Sequence, residues 1–443
     1  MQPVLESRYE RRVAASSDAG FHSLKPPALR DVEGTGLPFL FLVELTLKTI
    51  FNGGQLRLWD LKERLKLPVA VIEPIISFMR AERLCEVQQR GVVENEIAYA
   101  LTDLGRGRAH GAMEKSLYVG PVPVPLEAYE RQIERQSVSD LHIGRDDVHR
   151  AFDGIVIAQR LLDQVGPAMN SGRAIFIHGP SGSGKTFIAE HLFAVLGGTV
   201  YVPYAIAVED EVIQVFDPLS HKPIPGHEGD GKSLDRRHAY DERWVACQRP
   251  VVMTGGELTL SMLDLEFDPT TRFYAAPPQI KANNGLLIID DLGRQLVSPR
   301  DLLNRWIVPL DRQVDYLALH TGKKFRVPFD MALVFSTNLA PEELADAAFL
   351  RRLGYKILVG PVNEEQYKSI FQQVCARFNV PYADDMFEYL LHKLHKNSGQ
   401  PLLACYPQDI VSKVRDRAQY EGSQPELSEE VLDWAWLNYF GAA

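Results

Sequence analysis

Eight consecutive residues near the middle of the chain, Gly179, Pro180, Ser181, Gly182, Ser183, Gly184, Lys185 and Thr186, combine glycines, a lysine and a hydroxyl in the spacing that binds a nucleoside triphosphate. Glycines at 179, 182 and 184 let backbone N–H groups converge on phosphate oxygens, and Pro180, Ser181 and Ser183 complete the cradle. Lys185 has the reach for the β- and γ-phosphates, and the Thr186 hydroxyl suits Mg²⁺. Further along, NNGLLIIDD ends in two carboxylates. Asp290 is placed to hold the Mg²⁺ shell with Thr186, and Asp291 to orient and activate an attacking water. ATP with Mg²⁺ is therefore the expected ligand, and its hydrolysis the expected reaction.

Such groups need a frame. In AIFIHGPSGSGKTFIAEHLF an apolar strand, a glycine-rich turn and an amphipathic helix follow in the order a phosphate loop requires, with the helix N-terminus adding a positive field. The four apolar residues Leu286 to Ile289 predict a buried strand that delivers Asp290 and Asp291 at its C-terminal end, where ligands collect in a parallel sheet. Strand-like runs (AIFIHG, VYVPYAIAV, PVVMTGG, GLLIIDD, MALVFSTN, KILVG) alternate with helical stretches over about 146–360. That alternation predicts an α/β core, a parallel sheet covered by helices on both faces. Beyond Pro361 four helical patterns, starting near Glu364, Ala383, Gln408 and Ser428, predict a helical lid over 361–443.

Upstream, residues 1–36 are polar and read as a flexible arm. Over 37–118, three helical patterns (FLFLVELTLKTIF, LWDLKERLKL, VIEPIISFMRAERL) precede two strand-like pieces, CEVQQ and EIAYAL, joined by a polar turn around Gly91 and Asn95. Three helices and a two-stranded wing predict a winged helix of α+β type. The prolines of VGPVPVPLEAY mark a linker over 119–145. A net charge of -10 argues against a surface that embraces nucleic acid throughout. Four scattered cysteines give neither a zinc pattern nor a disulfide framework. The longest apolar run, Leu37 to Leu45, is too short for a membrane span of about 20 residues, and a cytoplasmic protein is expected.

Through these motifs the stretch from about Val148 to Phe440 resembles AAA+ ATPases, and FSTNLAPEELADAAFLRRLGYKI is nearest to the MoxR-like branch. The resemblance implies that Asn338, with Thr337 as the fallback, is the polar sensor between water and γ-phosphate. It implies too that Arg352, or less readily Arg351, reaches the ATP of a neighbouring subunit, so that the chain works as a homo-oligomer, a hexameric ring. Two positions depart from the family pattern. AAA+ proteins usually carry Glu where Asp291 stands, and Gln408 occupies the place of the lid arginine, leaving Lys413, Arg415 or Arg417 as substitutes. Separately, YALTDLGR resembles the "LT-x-x-G-R" ending of bacterial winged-helix domains.

Two functions compete. The first is a chaperone-like remodeller of an unidentified protein partner recruited by the winged helix; the second is a DNA-linked regulator or loader whose winged helix binds duplex. Only Arg80 and Arg83, against Glu73 and Glu82, furnish the third helix, which is poor for phosphate contacts. A P-loop kinase would need neither lid nor ring, and no GAFTGA loop of sigma-54 activators is present. The insert over 207–280 offers Phe273 and Tyr274 as residues to grip a substrate chain, or as core. Its His221, His227 and His238 fit no standard metal spacing, and KKFR over 323–326 reads as a solvated hairpin face.

Overall fold

The computed structural model describes residues 24–89, 97–225, 240–344 and 347–441. They fall into two compact units, one drawn from 1–141, 196–287 and 304–332, the other from 142–195, 288–303 and 333–443.

The second unit carries most of a five-stranded sheet. Four of its strands are β1 (Ile175–His178), β2 (Leu286–Ile289), β3 (Ala332–Thr337) and β4 (Tyr355–Leu358), in the order β2-β3-β1-β4. Both β3 and β4 run parallel to β1, with Thr337 and Leu358 opposite His178. All of β2 and β3 is buried, as befits strands covered on both faces, whereas Lys356 and Leu358 on the edge strand β4 are exposed. Helix α1 (Lys185–Leu196) follows β1 across the phosphate loop.

Past β4 the chain is helical: α2 (Glu364–Phe378), a helix over Asp384–Tyr389 that runs on to Ser398, α3 (Tyr406–Glu421) and α4 (Glu429–Phe440). Asn363 and Gln366 close a reciprocal capping box on α2, and the Ser428 hydroxyl accepts from Val431 N–H to cap α4. Tyr367, Phe371, Phe387, Ile410 and Leu432 form the core of this region.

In the first unit, helices Phe39–Gly53, Leu58–Leu65 and Val69–Ala81 lead to a three-stranded antiparallel sheet ordered Gln55–Arg57, Ala98–Leu101, Cys85–Gln89. Helix Asp103–Lys115 follows. The polar turn expected at Gly91 and Asn95 lies outside the described residues.

Three expectations are corrected. Residues 24–36 are not a free arm: Leu29 and Val32 pack on the core, Thr35 is buried, and the buried Arg243 guanidinium donates to Thr35 O at 3.0 Å. Nor is 119–145 a linker. Val124 pairs with Ile206, and helix Leu126–Arg135 buries Tyr129 and Ile133, because the apolar residues between the prolines have a sheet to cover. The run VYVPYAIAV does not join the parallel sheet. It breaks at Tyr204 into Thr199–Pro203, antiparallel to Trp244–Gln248, and Ala205–Val208, antiparallel to Glu211–Gln214.

Candidate functional site

The site gathers at the C-terminal ends of β1, β2 and β3. The phosphate loop leaves β1 at His178, the acidic pair leaves β2 after Ile289, and Asn338 follows the last residue of β3. Lys185 opens α1 as a buried residue, and its amine donates to Pro180 O at 2.9 Å and to Asn338 Oδ1 at 2.6 Å. The Thr186 hydroxyl sits 3.1 and 3.0 Å from the two carboxylate oxygens of Asp290. Asn338 also donates through Nδ2 to Asp291 Oδ1, a long contact at 3.4 Å. Five of the residues singled out by sequence, Lys185, Thr186, Asp290, Asp291 and Asn338, are thus brought together.

The loop needs its glycines. At Gly179 (φ +148°) a Cβ would lie 2.1 Å from Val359 O, and at Gly182 (φ +80°) one would lie 2.4 Å from Cys405 Sγ. The Gly182 carbonyl accepts from Cys405 N–H at 3.1 Å, which ties the loop to the start of α3. Ser183 N–H turns onto Pro180 O at 3.3 Å, so that one carbonyl receives two of the groups a phosphate would use. Ser183 Oγ is buried and has no partner among the described residues. An orphaned hydroxyl in a cradle closed to any side chain fits a phosphate ligand. The facing Thr186 hydroxyl and Asp290 carboxylate are hard oxygen donors of the kind Mg²⁺ takes, alongside water and phosphate.

Electrostatics converge on the same amine. Burial pushes Lys185 below its ordinary lysine value, the Asp291 and Asp290 carboxylates oppose the fall, and the Arg294 charge adds to it. Burial, with repulsion from Asp290, raises the Glu190 carboxyl on α1. Glu190 escaped notice in the sequence, although its place four residues after Thr186 puts both on one helix face. Asp291 adopts a left-handed backbone (φ +49°), a conformation that Asp tolerates better than Glu, which gives a local reason for the shorter acid.

The remaining candidates lie apart. Arg351 is exposed and Arg352 half-buried on the turn into β4, where Arg352 N–H donates to Phe349 O at 2.8 Å. Gln408, on α3, accepts from Arg377 Nη2 at 2.8 Å. In the first unit, Tyr274 is buried with its hydroxyl on His320 and so belongs to the core, while Phe273 is half-buried against the Tyr118 ring. His221 has both ring nitrogens engaged, one receiving from Asp217 N–H and the other donating to Lys281 O, and burial pushes it down to about 4. His227 and His238 lie outside the described residues. Among the described residues no group of three or more His, Cys, Asp or Glu could hold a metal, and no helix is long and apolar enough to cross a membrane.

A family described as a domain of unknown function (DUF8689) matches residues 363–438, the helical region alone. No curated protein matches. Among solved structures, NtrX from Brucella abortus is 15% identical over 72% of this chain and 61% of that chain, with a TM-score of 0.41. The chain thus spans about three fifths of that NtrX chain. The Thermotoga maritima RuvB Holliday junction branch migration motor is 13% identical over 68% of this chain and 71% of its own, at a TM-score of 0.36. A complex of the magnesium chelatase subunits BchI and BchD gives 16% identity, 68% and 95% coverage, and a TM-score of 0.32.

Proposed function

We propose that this chain is an AAA+ ATPase that binds ATP with Mg²⁺ in the loop Gly179–Thr186, hydrolyses it, and works as a homo-oligomeric ring. The observation that carries the reading is the meeting of Lys185, Thr186, Asp290 and Asn338 at one sheet edge within hydrogen-bond reach. Thr186 and Asp290 would hold the Mg²⁺, which when bound neutralises phosphate charge. Lys185 exchanges Pro180 O and Asn338 for phosphate oxygens, and Asn338, released from the amine, keeps Asp291 turned toward the water. Arg352, with Arg351 as its alternate, is assigned to a neighbouring subunit's nucleotide on the strength of the AAA+ resemblance.

The N-terminal region is read as a winged helix that recruits a protein. Its third helix, Val69–Ala81, exposes Glu73, Pro74, Ser77 and Arg80, one acid against one base around a proline, a face with no surplus of positive charge for phosphates. We assign the chain a chaperone-like, remodelling role on that partner. Particle mass by light scattering with and without ATP, paired with the turnover rate, is the test: growth to a ring with turnover is expected. A monomer in both states would remove the ring, and absent ATP binding would remove the whole reading. Duplex binding that persisted at moderate salt would favour the DNA-linked alternative instead.

A further inference from the structure

We infer that Arg294 is a triphosphate-binding residue, supplying to the γ-phosphate of the chain's own ATP the cation that the helical region does not. The inference rests on the ATP-binding reading of the phosphate loop. Arg294 follows the acidic pair on a turn fixed at every step. Leu292 N–H donates to Ser336 O at 2.8 Å, and the Thr337 hydroxyl donates back to Leu292 O at 2.6 Å, so the turn is pinned to β3. Arg294 N–H closes the turn onto Asp291 O at 2.9 Å. The Gln295 side chain staples it, donating to Asp290 O at 2.9 Å and accepting from Gly293 N–H at 2.8 Å.

These bonds hold the Arg294 backbone one turn from Asp291, at the sheet edge that carries the two aspartates. Its side chain is exposed and makes no ion pair among the described residues. The cations of the helical region are engaged elsewhere. Arg377 holds Gln408, Arg415 pairs with Asp416, Arg417 with Glu421 and Glu430, and Lys413 lies over the Tyr439 ring. The charge of a triphosphate, added to Asp290, Asp291 and Glu190, exceeds what Lys185 and a bound Mg²⁺ supply together, and a guanidinium binds phosphate oxygens in bidentate fashion.

Contact with the γ-phosphate makes a specific demand, discrimination between ATP and ADP. Calorimetric titration of the full chain with Mg²⁺ and adenylyl imidodiphosphate, and separately with Mg²⁺ and ADP, reads it directly. Arg294→Ala is expected to weaken the triphosphate analogue about tenfold or more and to leave ADP unchanged, as loss of one charge-assisted hydrogen bond would. Arg294→Lys should recover part of the loss. Equal weakening for both nucleotides, or none for either, would overturn the inference while the loop reading stood. Wild-type protein that bound neither nucleotide would instead defeat the loop reading, and this inference with it. Thermal melts of both variants guard against a folding defect, which the exposed side chain gives no reason to expect.

Discussion

The phosphate-loop edge and the helical region that follows it handle charge in opposite ways. At the loop, polar groups are held by one or two contacts that a ligand can replace: Lys185 on Pro180 O and Asn338, Thr186 on Asp290, Ser183 Oγ on nothing described. In the helical region the charges satisfy one another, Arg417 with Glu421 and Glu430, Lys368 with Asp384. The first arrangement suits a site that exchanges partners, the second a scaffold. What joins them is backbone: Cys405 N–H on Gly182 O. A nucleotide-driven movement of the loop would therefore reach α3 by way of the main chain rather than through a lid arginine.

The largest effect expected at the sheet edge is on turnover. If Arg352 serves a neighbouring subunit, Arg352→Ala should lower kcat by about a thousandfold with ATP affinity retained. Mixing it with Lys185→Ala subunits should restore some activity, since each supplies what the other lacks. Turnover that survived Arg352→Ala at every protein concentration would leave the edge a single-chain site.

Next comes binding. Lys185→Ala removes the buried amine and should weaken ATP roughly ten- to hundredfold, the range for a hydrogen bond to a charged group. Smaller again is Gly182→Ala. The positive φ and the approach of Cys405 Sγ to 2.4 Å from the added Cβ together put its cost at about 1–3 kcal/mol, read as a lowered Tm with weakened ATP binding. If the melt fell while ATP binding held, the tie between loop and α3 would be structural only.

Much of this edge was legible because its signals are local. A glycine-rich turn between strand and helix, and four apolar residues ahead of two aspartates, each announce a backbone shape along with a chemistry. The parallel sheet was legible for the same reason: β2 is an unbroken apolar run and β3 opens on one, Ala332 to Phe335. VYVPYAIAV misled because an apolar run says nothing about the direction of its neighbour, and here every pairing of its two strands but one is antiparallel. The prolines over 119–145 suggested a spacer, since the partner of Val124, Ile206, is distant in sequence. Arg294 and Glu190 escaped because their relevance is positional: one needs the turn, the other the helix face, before either points anywhere.

The smallest effect is expected at Gln408, and it is the most discriminating for the contrast between the two regions. Gln408 stands where the AAA+ resemblance places an arginine, yet its amide oxygen is taken by Arg377 at 2.8 Å, an exposed pair on the helical surface. Gln408→Ala frees Arg377 into water, where a guanidinium loses little, so stability should fall by about 0.5–1 kcal/mol at most. ATP affinity and turnover should stay as in the unaltered protein, in contrast to Lys185→Ala. Calorimetry and a steady-state assay on that one variant suffice. If Gln408→Ala weakened ATP as strongly as Lys185→Ala, the helical region would be reading the nucleotide through its side chains. The loop and α3 would then form one polar site, and Arg294 would no longer be needed to explain where the second cation comes from.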